Sequence, residues 1–272
     1  MNVNDVHKMM DPVKSTETMP VLFIGHGNPM NAIEDNEFSE KWQMLGKTLP
    51  EPSVILCISA HWETPGTYVT AMSKPKTIHD FGGFPQSLFD VSYPAPGSPA
   101  TAEEIIKLTP SVPVLPDERW GLDHGCWSVL KRMYPQASIP VVEMSLDYRQ
   151  TPQFHIRLAK ELATLRKKGV LIMGSGNLVH NLRKINWHEP ESAYGWATEA
   201  NERMKKLILE GNLDSLAGYP SLGREVNMAV PTPEHFLPIL YSLSLKEDHE
   251  SVSFFNDRIV MGSLSMTSIM IQ

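Results

Sequence analysis

Three histidines follow strand-like runs of this chain at small, turn-forming residues. "LFIGHGNPM" sets His26 between two glycines, "ILCISAHWE" carries His61 two residues past an apolar run, and "LIMGSGNLVHN" places His180 shortly after a Gly-Ser-Gly turn. Flanking glycines let the backbone turn tightly and expose an imidazole. Neutral imidazole is the commonest nitrogen ligand of Zn, Fe, Cu and Ni, so three at one edge point to a metal centre. The competing reading is an anion pocket, since "GSGN" ahead of a helix could bind a phosphate through backbone N–H groups. His79 and Phe81 in "HDFGGFP" and His124 in "WGLDHGCW" lie in loops that mix aromatic residues with glycine. Such loops suit the wall of a pocket for a flat aromatic ligand, or plain loop packing. His7, His188 and His249 in polar tail or loop sequence, and His155 in an amphipathic helix, read as solvated or packed side chains.

"PTPEHF" at 231–236 offers a carboxylate and an imidazole side by side. The stretch reads as a helix start, with Thr232 at the N-cap, Pro233 at N1, Glu234 at N2 and His235 at N3. Successive helical side chains point about 100° apart, so the two do not face one metal together. Glu234 is explained by the macrodipole, which favours an acid in the first turn. His235 is not, and the same dipole keeps its imidazole neutral and fit to bind a metal. His235 is therefore favoured over Glu234.

Positioning these residues requires a sheet. Nearly continuous apolar runs at 20–24, 53–59, 139–145 and 169–174 suit strands buried on both faces of a largely parallel sheet. Helical spacing recurs at 99–108, 153–169 and 194–211, and the last two stretches stop at glycine. The alternation predicts a three-layer α/β fold with helices on both faces of the central sheet. In such a fold the active site lies at the carboxyl ends of the strands, where His26, His61 and His180 fall. The Gly- and Pro-rich segment 75–99 is too irregular for an element and is expected to cover a pocket.

With 24 basic against 31 acidic residues and a net charge of −7, the 272-residue chain lacks the basic footprint of a nucleic-acid or anionic-membrane binder. A small-molecule partner fits better. Cys57 and Cys126 have no C-x-x-C spacing, which argues against a disulfide framework and for a reducing, cytoplasmic setting. No apolar run is long enough for a membrane span or a secretory signal. Residues 1–19 read as a loose tail ahead of a single catalytic domain spanning 20–272.

Taken together, "GHGNPM", "SAHWE", "IHDFGGFP", "YPAPGSP", "GLDHGCWSVL", "GSGNLVHNLR", "PTPEHFLP" and "MGSLSM" resemble the class III extradiol ring-cleavage dioxygenases, in the 4,5-DOPA dioxygenase branch. The resemblance covers nearly the whole chain from Met19 onward. It implies a non-haem Fe(II) enzyme that opens a DOPA-like catechol beside its hydroxyl pair with O2, giving a muconic semialdehyde. It assigns His26, His61 and His235 to the metal, His180 to acid/base catalysis and as a candidate additional ligand, and His124 to the substrate pocket with His79 and Phe81 nearby. Three histidines also suit Zn(II). A zinc hydrolase using Glu63 or Glu234 as its base is thus an alternative, and a non-enzymatic binding protein of the same fold is another.

Overall fold

The computed structural model describes residues 18–272, so the expected tail falls almost wholly outside the described residues. Ten strands run in chain order: β1 (Val21–Gly25), β2 (Val54–Thr64), β3 (Thr67–Thr70), β4 (Val114–Asp117), β5 (Val141–Asp147), β6 (Val170–Gly176), β7 (Val252–Phe255), β8 (Ile259–Val260), β9 (Leu264–Ser265) and β10 (Ser268–Ile271). The α-helices are α1 (Glu37–Thr48), α2 (Gln86–Phe89), α3 (Pro99–Leu108), α4 (His124–Met133) and α5 (Pro152–Glu161). They continue with α6 (Gly195–Leu209), α7 (Leu213–Ala217), α8 (Arg224–Ala229) and α9 (Leu237–Ser244).

Eight strands form one sheet in the order β4-β3-β5-β2-β6-β1-β10-β7. Its centre, β5-β2-β6-β1, is parallel throughout, while β3 against β5 and β10 against β1 and β7 are antiparallel. β1, β5 and β6 are buried at every residue, which is why their sequence is apolar without alternation. Successive residues serve opposite layers. Val21 and Phe23 pack with α5, α6 and α9, while Leu22 and Ile24 pack with α1 and α4. The three-layer α/β architecture is thus the one expected.

Four local expectations change. β2 does not stop at Ser59 but runs to Thr64, with its register against β5 shifting between Ile58 and Glu63. A bulge of this kind re-aims side chains, and His61 lies inside it. Second, Gly174-Ser175-Gly176 is not a turn but the end of β6. A Cβ on Gly174 would meet Pro238 O at 2.5 Å and one on Gly176 would meet His235 O at 2.1 Å, so these glycines admit the backbone that leads into α9. No helix follows them, only a short 3-10 turn at Leu182–Lys184, which removes the basis for an anion pocket. Third, α9 begins at Leu237, after a turn in which the N–H groups of Phe236 and Leu237 both donate to Pro233 O at 2.9 Å. Glu234 and His235 occupy that turn and not the first turn of the helix, so the macrodipole does not explain Glu234.

The segment predicted as one helix over 153–169 divides into α5 and a 3-10 stretch at Ala163–Lys168, ending at Gly169 with φ 79° as glycine allows.

Candidate functional site

β1 delivers His26 at its carboxyl end, where the His26 N–H donates to Gly176 O at 3.1 Å. The β2 bulge delivers His61, and the turn before α9 delivers His235. One ring nitrogen from each lies within 4.8 Å of the other two. The outer nitrogens are taken. His26 Nδ1 lies 3.0 Å from Ser175 Oγ, whose own proton goes to Gly125 O at 2.6 Å, so His26 Nδ1–H is the donor. His61 Nδ1 faces Asp80 Oδ2 at 3.3 Å and His235 Nδ1 faces Glu234 Oε1 at 3.3 Å, both carboxylates that accept. Each inner Nε2 is then left with a lone pair.

Two of those lone pairs, on His26 and His61, face each other at 3.1 Å, and His235 Nε2 is buried with no hydrogen-bond partner among the described residues. Buried acceptors in that arrangement repel unless a cation lies between them. A proton does not serve, because burial and the neighbouring imidazoles push His26 and His235 well below 6.5 and His61 down to about 3. The donor set fits a nitrogen-binding metal ion such as Fe(II) or Zn(II).

His180 stacks on His235 with ring centroids 3.5 Å apart and planes 8° from parallel. It is held by a bridge to Leu264 and by its N–H donating to Ala229 O at 2.9 Å, and not by a helix. Burial lowers its pKa to about 4, outweighing the nearby Glu234, so the imidazole is neutral at pH 7. His124 opens α4, one residue after the N-cap Asp123. Its Nδ1 lies 2.8 Å from Asp80 Oδ2 and its backbone N–H donates to Asp80 Oδ1 at 2.9 Å.

The five histidines share a cavity of about 580 Å³ with Asp80 and Phe81. Phe81 stands edge-on to His124 at 5.5 Å. His79 is not in that wall. Its Nε2 bonds Val91 O at 3.0 Å, and its ring packs on Phe81, Phe89 and Trp127, one layer behind the cavity. Glu63 is exposed and also absent from the wall. His155 is buried with its Nδ1 2.9 Å from Tyr241 Oη and does not line the cavity.

Sequence reasoning missed Asp80, which ties His61 to His124, and Ser175, hidden in a stretch read as a turn. It also missed a buried carboxyl pair behind α4. Glu143 Oε1 accepts from the Asp123 N–H at 3.0 Å, Ser59 Oγ donates to Asp123 Oδ1 at 2.7 Å, and Trp120 Nε1–H donates to Glu143 Oε2 at 3.2 Å. Burial raises Asp123 to about 6 and Glu143 well above the usual carboxylate range. Only partners distant in sequence reveal this network.

Residues 17–261 match the family described as the catalytic LigB subunit of aromatic ring-opening dioxygenase. The chain belongs to this family. It is 48% identical over 264 residues to the Escherichia coli (strain K12) protein named 4,5-DOPA dioxygenase extradiol, covering 96% of this chain and 97% of that one. The Beta vulgaris protein of the same name is 34% identical over 269 residues, covering 95% and 96%. Family members are thus found in both a bacterium and a plant. The crystal structure of an uncharacterized Escherichia coli K12 protein superposes with a TM-score of 0.82 at 42% identity, over 93% of this chain and all of that one. Among the described residues, no helix is long and apolar enough to cross a membrane.

Proposed function

We propose that this member of the family is an extradiol dioxygenase that opens a side-chain-bearing, DOPA-like catechol with O2. The observation that carries this reading is the set of three inward, unprotonated Nε2 atoms beside the neutral ring of His180, at the base of a cavity walled by Phe81. In balance, both atoms of O2 enter the product and the ring C–C bond next to the hydroxyl pair breaks, leaving a muconic semialdehyde.

His26, His61 and His235 would hold the metal, with Fe(II) as the working ion and Zn(II) able to occupy the same nitrogen set. When bound, it would lower the pKa of the catechol hydroxyls and supply redox chemistry toward O2. His180, neutral, takes a hydroxyl proton from the substrate and returns it as the ring opens. His124, whose Nδ1–H is committed to Asp80, leaves Nε2 as an acceptor for the second hydroxyl. Phe81 packs on the ring. Buried free thiols at Cys57 and Cys126 and a ferrous site both suit the reducing cytoplasm.

A zinc hydrolase needs a free carboxylate base at the metal. Glu63 is absent from the cavity wall, and the carboxylates beside the histidines are committed, Asp80 to His61 and His124 and Glu234 to Thr232 and His235. The test is to load the protein anaerobically with Fe(II), add a catechol and admit O2. A yellow product, with one O2 consumed per catechol, is expected; metal-loaded protein that consumes no O2 with any catechol overturns the reading.

A further inference from the structure

We propose that Glu143, on β5 behind the cavity, is a positioning residue for His61 and holds the β2 bulge on both sides of that histidine. This rests on the reading of His61 as a metal ligand in a catechol-opening enzyme. The bulge lacks other support. β2 pairs with β5 at Ile58 and Met144 and next at Glu63 and Leu146, so residues 59–62 stand opposite Ser145 alone. The Ser145 hydroxyl is taken elsewhere, accepting from Thr64 Oγ1 at 2.6 Å and from the Tyr68 N–H at 2.8 Å. On its other edge β2 pairs with β6 only as far as Ser59 and Ser175. His61 therefore sits where the backbone ladder is lost on both sides, and its ring keeps its aim only if side chains fix the backbone that carries it.

Glu143 supplies two such holds. In the first, its Oε1 accepts the Asp123 N–H at 3.0 Å, Asp123 Oδ1 accepts from Ser59 Oγ at 2.7 Å, and Ser59 Oγ accepts the His61 N–H at 3.2 Å. In the second, its Oε2 accepts the Trp120 Nε1–H at 3.2 Å, and the Trp120 ring stacks on Trp62 with centroids 5.5 Å apart and planes 3° from parallel. Ser59 comes two residues before His61 and Trp62 directly after it, so the two holds bracket the histidine. The first hold also seats the start of α4 against the imidazole. A Cβ on Gly125 would meet Ser59 Oγ at 2.7 Å and His61 Cδ2 at 2.9 Å.

Packing does not account for a carboxyl group at this place. Glu143 is 0% exposed in a strand buried at every residue, and its two oxygens accept N–H groups rather than a cation. An apolar side chain would fill the strand without the cost of taking a carboxyl group out of water. What it would lack is two acceptors on one carbon, and these are what join Asp123 to Trp120.

The experiment measures Zn(II) affinity by competition with a chelator, and the visible absorption of Co(II)-loaded protein, which follows ligand geometry. Both are read in wild type, Glu143→Gln, Trp120→Phe and the double variant. Glutamine fills the same space with one acceptor oxygen, so one of the two holds opens. Zn(II) binding is expected to weaken about tenfold in Glu143→Gln, with altered Co(II) bands, and to weaken by a smaller factor in Trp120→Phe, which keeps a ring beside Trp62 but no N–H. The two changes act on one network, so the double variant should lose less than the product of the single losses. Trp120 is half-buried, and its replacement tests the second hold even if Glu143→Gln does not fold. Wild-type Zn(II) affinity and Co(II) bands in the folded variants, whatever their stability in urea, overturn the proposal. Wild-type protein that binds neither ion overturns it together with the metal reading. These measurements use no catechol, so Fe(II)-loaded wild type that consumes no O2 with any catechol overturns the catechol reading alone.

Discussion

Asp80 orients two imidazoles with one carboxylate, its Oδ2 lying 2.8 Å from His124 Nδ1 and 3.3 Å from His61 Nδ1. Losing it frees His61 to turn and to move its proton to the inner nitrogen. Asp80→Ala is expected to weaken metal binding about 10–100-fold, as removal of such outer partners does. Titration against a chelator of known affinity measures this; an unchanged affinity would show that the Asp80 contact does not set the His61 ring. His180 behaves differently, because its ring stacks on a candidate ligand. His180→Ala should keep bound metal, read by elemental analysis, and lose about 10²–10⁴-fold in turnover. Near-wild-type catechol cleavage by that variant would remove His180 from the chemistry. The histidines were legible because imidazoles at strand ends have few structural explanations. Asp80 was not, although it stood in "HDFGGFP", because a carboxylate beside a loop histidine says nothing about which distant rings it meets.

At the scale of elements, Gly176 shows how the sheet sets the site. His235 O accepts from the Asn177 N–H at 2.8 Å, and a Cβ on Gly176 would sit 2.1 Å from that same oxygen. Gly176→Ala must push the turn carrying His235 away from β6. The expected cost is about 1–3 kcal/mol in urea unfolding, with weaker metal binding because one of three candidate ligands has moved. A stable variant with normal metal affinity would mean that the turn is free to shift. From sequence alone Gly-Ser-Gly reads as a turn, since glycine's tolerance of close backbone approach leaves no separate local signal. The α5–α9 contact makes another prediction. Burial pushes His155 down from 6.5 to about 4, so the unfolded chain takes up the proton first. Its stabilising contribution is fully present above pH 6.5 and drains away as pH falls toward 4, at up to about 1.4 kcal/mol per unit. Between pH 7.5 and 5, wild type should therefore lose about 2 kcal/mol more than His155→Phe in urea unfolding; equal losses would place the acid sensitivity elsewhere.

For the whole molecule, the candidate ligands come from the end of β1, the bulge of β2 and the turn before α9, so a metal held by all three ties segments more than 200 residues apart to one edge of the sheet. The sequence revealed the parallel centre of that sheet through continuous apolar runs. The reversals at β3 and β10 stayed hidden because strand direction is set by how short connections return, not by composition. Since the three inner nitrogens converge only in the folded chain, metal binding is coupled to folding. Metal at about 100 times its Kd should add about 2.7 kcal/mol, or about 5–10 °C in Tm for a chain of this length. Calorimetry with Zn(II), which avoids oxidation, measures it, and His235→Ala should abolish most of the rise. If the variant keeps the full increment, the ion sits instead among His61, Asp80 and His124, the other cluster that shares His61. That outcome would exchange two of the three ligands while leaving the fold and the cavity as they are. The thermal shift of this variant thus decides whether the ion's centre includes His235, as in the set with His26 and His61 or the one with His180 and Glu234, or lies among His61, Asp80 and His124.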